Sequence, residues 1–101
     1  MKKLIGTIMG IALFTAGSHA IAAGDAAAGK GLSAVCAGCH GAEGISMNGL
    51  WPNLAGQKAA YLAKQIKAFR DGQRSDPMMS NMVKTLTDQD AEDLAAYYSG
   101  L

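Results

Sequence analysis

Two thiols and one imidazole fall within five residues of this sequence, in the run Cys36-Ala37-Gly38-Cys39-His40. On one helical turn, cysteines three apart reach two vinyl groups along one edge of a porphyrin. The next residue can then turn its imidazole under the ring toward iron. C-x-x-C-H is accordingly the attachment signature of a c-type haem, and it predicts one covalently bound haem c at Cys36 and Cys39 with His40 on the metal. Other chemistries fit the same residues less well. A structural zinc site needs four Cys or His ligands, and beyond residue 22 the chain has two cysteines and one histidine. A thioredoxin-type dithiol needs only C-x-x-C, but it belongs beside a βαβ pattern. No stretch of this chain shows sustained period-two alternation.

Iron held by His40 has a sixth position, and its occupant separates an electron carrier from a ligand-binding site. His19 falls in the leader described below, so no second histidine is at hand. The methionines beyond the leader are Met47, Met78, Met79 and Met82. Core packing is the ordinary fate of a methionine. Three within five residues, in a loop containing Pro77 and far downstream of C-x-x-C-H, form a less ordinary group. A thioether is a soft, neutral ligand that favours ferrous iron and raises the reduction potential. With no sixth ligand, the iron would instead bind small gases or peroxide.

The elements that must position these groups read as short helices. The chain has 101 residues, enough for one small domain. Lys2 and Lys3, an apolar run from Leu4 to Ala16, and Ala20-Ile21-Ala22 make a signal peptide over residues 1–22, with cleavage after Ala22. That run is too short and too rich in Gly and Ala to remain as a membrane anchor. The domain is then 23–101, exported to the periplasm, with seven basic against eight acidic residues. Such a balance argues against nucleic acid as a partner. A domain of this size buries only about 60–65% of its unfolded surface, and a covalently held porphyrin would supply much of its core.

Asp25 is placed to cap a first helix, with Ala28, Leu32, Val35 and Cys36 on one face. Residues 41–56, with four glycines and Pro52, read as loop, and Leu50 and Trp51 as its contacts to the core. Residues 58–71 form an amphipathic helix with Tyr61, Leu62, Gln65, Ile66 and Phe69 on one side. Lys58, Lys64, Lys67 and Arg70 make its solvated side, and Gly72 stops it. Residues 73–79 form a second loop. Thr87 and Asp90 make a capping box for a last helix, whose apolar face is Ala91, Leu94, Ala95 and Tyr98. Asp88, Asp90, Glu92 and Asp93 suit that helix's N-terminal dipole. The fold class is all-α, with three to four short helices around one haem.

Taken together, these residues resemble the class I bacterial cytochromes c. The match is closest to one domain of the two-haem c-four cytochromes and to single-haem c-five-fifty-three proteins. It runs through Ala23 to Gly29, Cys36 to Gly41, Trp51-Pro52-Asn53-Leu54-Ala55-Gly56-Gln57, Asp76-Pro77-Met78-Met79, Leu86-Thr87-Asp88 and Leu94 to Tyr98. The resemblance implies that the first and last helices cross near Gly29 and Tyr97–Tyr98, and that the Pro52 carbonyl bonds the second nitrogen of His40. It implies Met79 as the sixth ligand, eight residues before the capping Thr87, with Met78 and then Met82 as alternatives. Arg74 and Trp51 are further candidates to meet the haem propionates. The implied function is a periplasmic single-electron carrier, not an enzyme. Its partners would be a quinol-oxidising complex and a terminal oxidase or reductase. The two-haem relatives carry a second C-x-x-C-H, so this chain works alone, pairs as a dimer, or serves as the haem subunit of a dehydrogenase.

Overall fold

Helices begin where their caps place them. Asp25 accepts backbone N–H bonds from Ala27 at 2.9 Å and Ala28 at 3.2 Å, opening α1 (Ala26–Leu32). The Asp90 amide donates to Thr87 Oγ1, and the Thr87 amide donates back to Asp90 Oδ2, each at 3.0 Å. This reciprocal cap opens α5 (Asp88–Ser99). Between them lie α2 (Ala34–His40), α3 (Ala59–Asp71) and the single turn α4 (Met79–Met82). The computed structural model describes residues 23–101 together with Gly6 and Gly10. The predicted leader, those two glycines apart, and its cleavage point lie outside the described residues. Among the described residues all regular structure is helical, in five segments.

The core forms where α5 packs against both α1 and α3. Leu94 and Tyr98 are its largest fully buried side chains, and they cluster with Leu62, Ala63 and Ala95. Burying a leucine to this degree contributes about 1.5–3 kcal/mol. The predicted face of α5 is therefore the observed one. The crossing of α1 and α5 depends on Gly29: a Cβ there would run into the Asp93 carbonyl and stand 2.9 Å from Tyr97 Cβ. Asp93 is 7% exposed and accepts the Asp25 amide at 2.8 Å and Gln89 Nε2 at 3.0 Å. It ties two helices together, a role beyond the dipole partnership expected of it.

Three expectations need correction. The first helix is not continuous through Cys36: it breaks at Ser33, whose hydroxyl donates to the Lys30 carbonyl at 2.8 Å and competes with the helix ladder. The basic side of α3 is not merely solvated. Lys67 pairs with Glu92 at 2.9 Å, and Arg70 bridges Asp71 at 2.8 Å and Asp88 at 2.7 Å, joining α3 to α5. Leu50 and Trp51 do not join the core cluster. Leu50 is 85% exposed, and both side chains border a cavity that gives the site its shape.

Candidate functional site

α2 places the chemistry. Cys36, Cys39 and His40 line one cavity of about 720 Å³, within the range of roughly 300–1,000 Å³ typical of small-molecule and cofactor sites. Helix α2 ends at His40 because Gly41 follows at φ +88°, with its Cα against the Ile45 carbonyl where no side chain fits. His40 is 6% exposed, and its Nδ1 lies 2.7 Å from the Pro52 carbonyl oxygen. A carbonyl only accepts, so the proton of the neutral imidazole sits on Nδ1 and leaves the Nε2 lone pair free for a metal. Such a bond also fixes the ring's orientation and raises its basicity as a ligand.

Pro52 is held by its own loop. Asn53 Oδ1 accepts the Ser46 amide at 2.7 Å, and the Ser46 hydroxyl donates to the Cys39 carbonyl at 3.2 Å. The loop is thereby stitched back to the end of α2.

The α3–α4 connection and α4 also line the cavity. Met78, Met79 and Met82 all line it, but Met78 is 55% and Met82 46% exposed, while Met79 is half-buried. Asp76 sets this turn. Its Oδ1 accepts the backbone amides of Met78 and Met79, both at 2.9 Å, and those bonds hold its carboxyl below the usual carboxylate range. Asp76 was not singled out from sequence, although an aspartate before a proline is a recognisable turn signal. The remaining wall is largely apolar, built from Leu62, Ile66 and Phe69 of α3, Val83, Leu86 and Leu94. So α3 has two working faces, one toward α5 and one toward the cavity. That second face comprises the predicted Tyr61, Leu62, Gln65, Ile66 and Phe69.

The cysteines do not resemble a redox dithiol. Burial pushes the Cys36 thiol up, offset in part by Tyr98 and reinforced by Cys39. Reactive thiols instead have depressed pKa values, and that of Cys36 moves the other way. The Tyr98 hydroxyl is buried without a hydrogen-bond partner of good geometry, and burial raises its pKa. Among the described residues, no three His, Cys, Asp or Glu side chains gather as a metal-ion site. Two sulfur atoms for covalent attachment, one imidazole with a free Nε2, one thioether and an apolar wall suit a haem.

The cytochrome c family profile matches residues 26–101. The chain belongs to the cytochrome c family. Cytochromes c hold haem covalently, and the single C-x-x-C-H here provides for one haem c. The chain is 49% identical to cytochrome c-554(548) of Halomonas halodenitrificans over 80 residues, covering 76% of this chain and 96% of that one. It is 43% identical to cytochrome c4 of Pseudomonas aeruginosa over 99 residues, covering 98% of this chain and 48% of that protein. A thiosulfate dehydrogenase electron acceptor of Thiomonas intermedia is 43% identical over 70 residues, covering 68% of this chain and 32% of the relative. The crystal structure of reduced cytochrome c4 from Pseudomonas stutzeri superposes with a TM-score of 0.73 at 44% identity, over 76% of this cytochrome and 45% of that chain. This cytochrome thus spans about half the length of the cytochrome c4 relatives it matches. The all-α class I cytochrome c fold expected from sequence is the fold observed.

Proposed function

We propose that this cytochrome is a single-electron carrier whose iron is held between His40 Nε2 and the Met79 thioether, with the haem bonded to Cys36 and Cys39. The observation that carries the reading is one largely apolar cavity lined both by His40, the last residue of α2, and by half-buried Met79, the first residue of α4. Bound haem supplies a metal that takes up and releases one electron. The chain's own residues do the rest. Pro52 keeps the Nδ1 proton in place, Asp76 holds the Met79 turn, and the aliphatic wall excludes water. With the Met79 thioether as one of its ligands, bound haem would favour the reduced state and a high potential.

The test is Met79→Ala in the haem-loaded protein. Low-spin character, the near-infrared thioether-to-iron band and the high potential should all vanish, and the reduced variant should bind carbon monoxide rapidly. Met78→Ala and Met82→Ala should keep the band. A Met79→Ala protein that retained band and potential would make Met79 the wrong ligand.

A periplasmic location follows from the proposed leader, residues 1–22, and among the described residues no helix is long and apolar enough to cross a membrane. Intact mass of the secreted protein tests cleavage after Ala22. A role as a haem subunit is the second reading. It is favoured by the likeness to a protein named for accepting electrons from thiosulfate dehydrogenase. Co-purification with a dehydrogenase, quinol-oxidising complex or terminal oxidase would distinguish a subunit from a free monomer or dimer.

A further inference from the structure

One oxygen in the core is left without a bond. Among the described residues, the Tyr98 hydroxyl is the one buried side-chain polar atom that makes no hydrogen bond, although Tyr98 is 2% exposed and belongs to the core cluster. Buried polar groups are ordinarily paired, and each exception calls for a partner. Two side chains stand close enough to act on this hydroxyl, Cys36 and Ser33. Ser33 is itself buried, and its own hydroxyl already donates to the Lys30 carbonyl at 2.8 Å. Cys36 packs against the cluster that contains Tyr98, and both residues line the cavity. Burial pushes the Tyr98 pKa up from its ordinary value, so at neutral pH the hydroxyl keeps its proton and is available as a donor.

We infer that Tyr98 is a positioning residue for the haem linkage, its hydroxyl donating a hydrogen bond to the sulfur by which Cys36 holds the porphyrin. The inference deepens the proposed function and rests on it. When a thiol S–H adds across a vinyl C=C, sulfur bonds to one carbon and hydrogen to the other, with no net gain or loss of electrons. The sulfur thereby gives up its only proton. A thiol can donate or accept a hydrogen bond, whereas a thioether can only accept. Attachment at Cys36 therefore leaves an acceptor beside a donor that has none. A hydroxyl aimed at that sulfur draws electron density from the edge of the ring and points the positive end of its dipole toward it. Both effects favour the reduced metal, and in a buried site they are weakened little by solvent. The packing of α5 on α1 and α3 keeps Tyr98 from turning its oxygen to water.

Wild type, Tyr98→Phe, Ser33→Ala, Cys36→Ala and the Tyr98→Phe/Cys36→Ala double variant are purified as haem-loaded proteins. Haem content is measured by pyridine haemochrome, and potentials are titrated. Tyr98→Phe removes one oxygen and keeps the ring. It should shift electron exchange with a reference couple toward the oxidised form by about two- to fivefold, the lower part of what one neutral hydrogen bond is worth. At 59 mV per tenfold for one electron, that is about 18–41 mV. In the Cys36→Ala background the same substitution should leave the potential where it was, and Ser33→Ala should keep the wild-type potential. A hydroxyl that only braced the core would alter unfolding without moving the potential. If Cys36→Ala does not load haem, Tyr98→Phe against Ser33→Ala decides alone. If Tyr98→Phe does not, the Raman carbon–sulfur stretch of wild type decides, since a donated O–H should shift it in heavy water. Absence of haem from wild type defeats the proposed function. Haem-loaded Tyr98→Phe at the wild-type potential, an equal shift in the Cys36→Ala background, an equal shift in Ser33→Ala, or a carbon–sulfur stretch indifferent to heavy water overturns the role of Tyr98.

Discussion

Two glycines two residues apart in α1 should respond to alanine with opposite signs. At Gly29 a Cβ would meet the Asp93 carbonyl and approach Tyr97 Cβ to 2.9 Å, whereas at Gly31 nothing lies within 4 Å. Both positions are helical, so each substitution gains up to about 1 kcal/mol from helix propensity and reduced unfolded-state freedom. At Gly31 that gain stands alone. At Gly29 it is opposed by overpacking, which costs about 1–3 kcal/mol. The upper part of that range applies, because the obstacle is a backbone carbonyl that cannot rotate aside and the two helices must separate instead. The expected balance is Gly29→Ala destabilised by about 1–2 kcal/mol and Gly31→Ala stabilised by about 0.5–1 kcal/mol. For a domain of this size 1 kcal/mol moves Tm by about 4–8 °C. The two variants should therefore bracket wild type in thermal or guanidinium unfolding followed by helical circular dichroism. The visible spectrum of the folded fraction should stay unchanged, since His40, Pro52 and Met79 lie away from the crossing. Equal stabilisation of both variants would refute the close approach of α1 and α5.

The remaining predictions concern two carboxylates. Asp93 is held below the usual carboxylate range by the Asp25 amide and then by Gln89, so its stabilisation is fully present above its unfolded value near 3.8 and is lost as pH falls through the lower folded value. Asp93→Asn should flatten the acid limb of a stability–pH curve below about pH 4 while leaving the neutral visible spectrum intact; an unchanged acid limb would count against the tie between α1 and α5. Asp76→Ala leaves the Met78 and Met79 amides without their acceptor. In that variant the thioether-to-iron band should disappear at a lower temperature than in wild type, well before helical structure melts; simultaneous loss would show that Asp76 does not govern the turn.

What the sequence made legible follows the range of the interactions involved. Caps are local, so Asp25 and the Thr87–Asp90 pair were readable within three residues. The face of α5 repeats with helical period, so Ala91, Leu94, Ala95 and Tyr98 were readable as core. C-x-x-C-H compresses attachment and ligation into one turn. The features that escaped are side-chain bonds without period. The Asp25 amide reaches Asp93 across 68 positions, and Lys67 reaches Glu92 across 25. The break at Ser33 turns on one hydroxyl choosing the Lys30 carbonyl. Leu50 and Trp51 misled because apolar residues in a loop suggest a core contact, whereas here they edge a cavity. Asp76 lies in the same class, since the amides that a turn acceptor holds show only once its neighbours are known.

The two sides of the cavity differ in how they are anchored. His40 ends α2, is buried, and is bonded through Pro52 to a loop that Ser46 stitches back to the same helix. Met79 begins a four-residue turn whose neighbouring helix is α3 and which has no fully buried residue. Segments with few buried contacts open first and at the lowest free energy. Partial opening of this cytochrome should therefore be lopsided. The turn that carries Met79 would swing out and close again, while His40 and the α2 cysteines stay in place. Hydrogen exchange at the amides of residues 78–82 would run ahead of exchange in α5, and with Met79 as the proposed ligand that opening would release its thioether while His40 stays held.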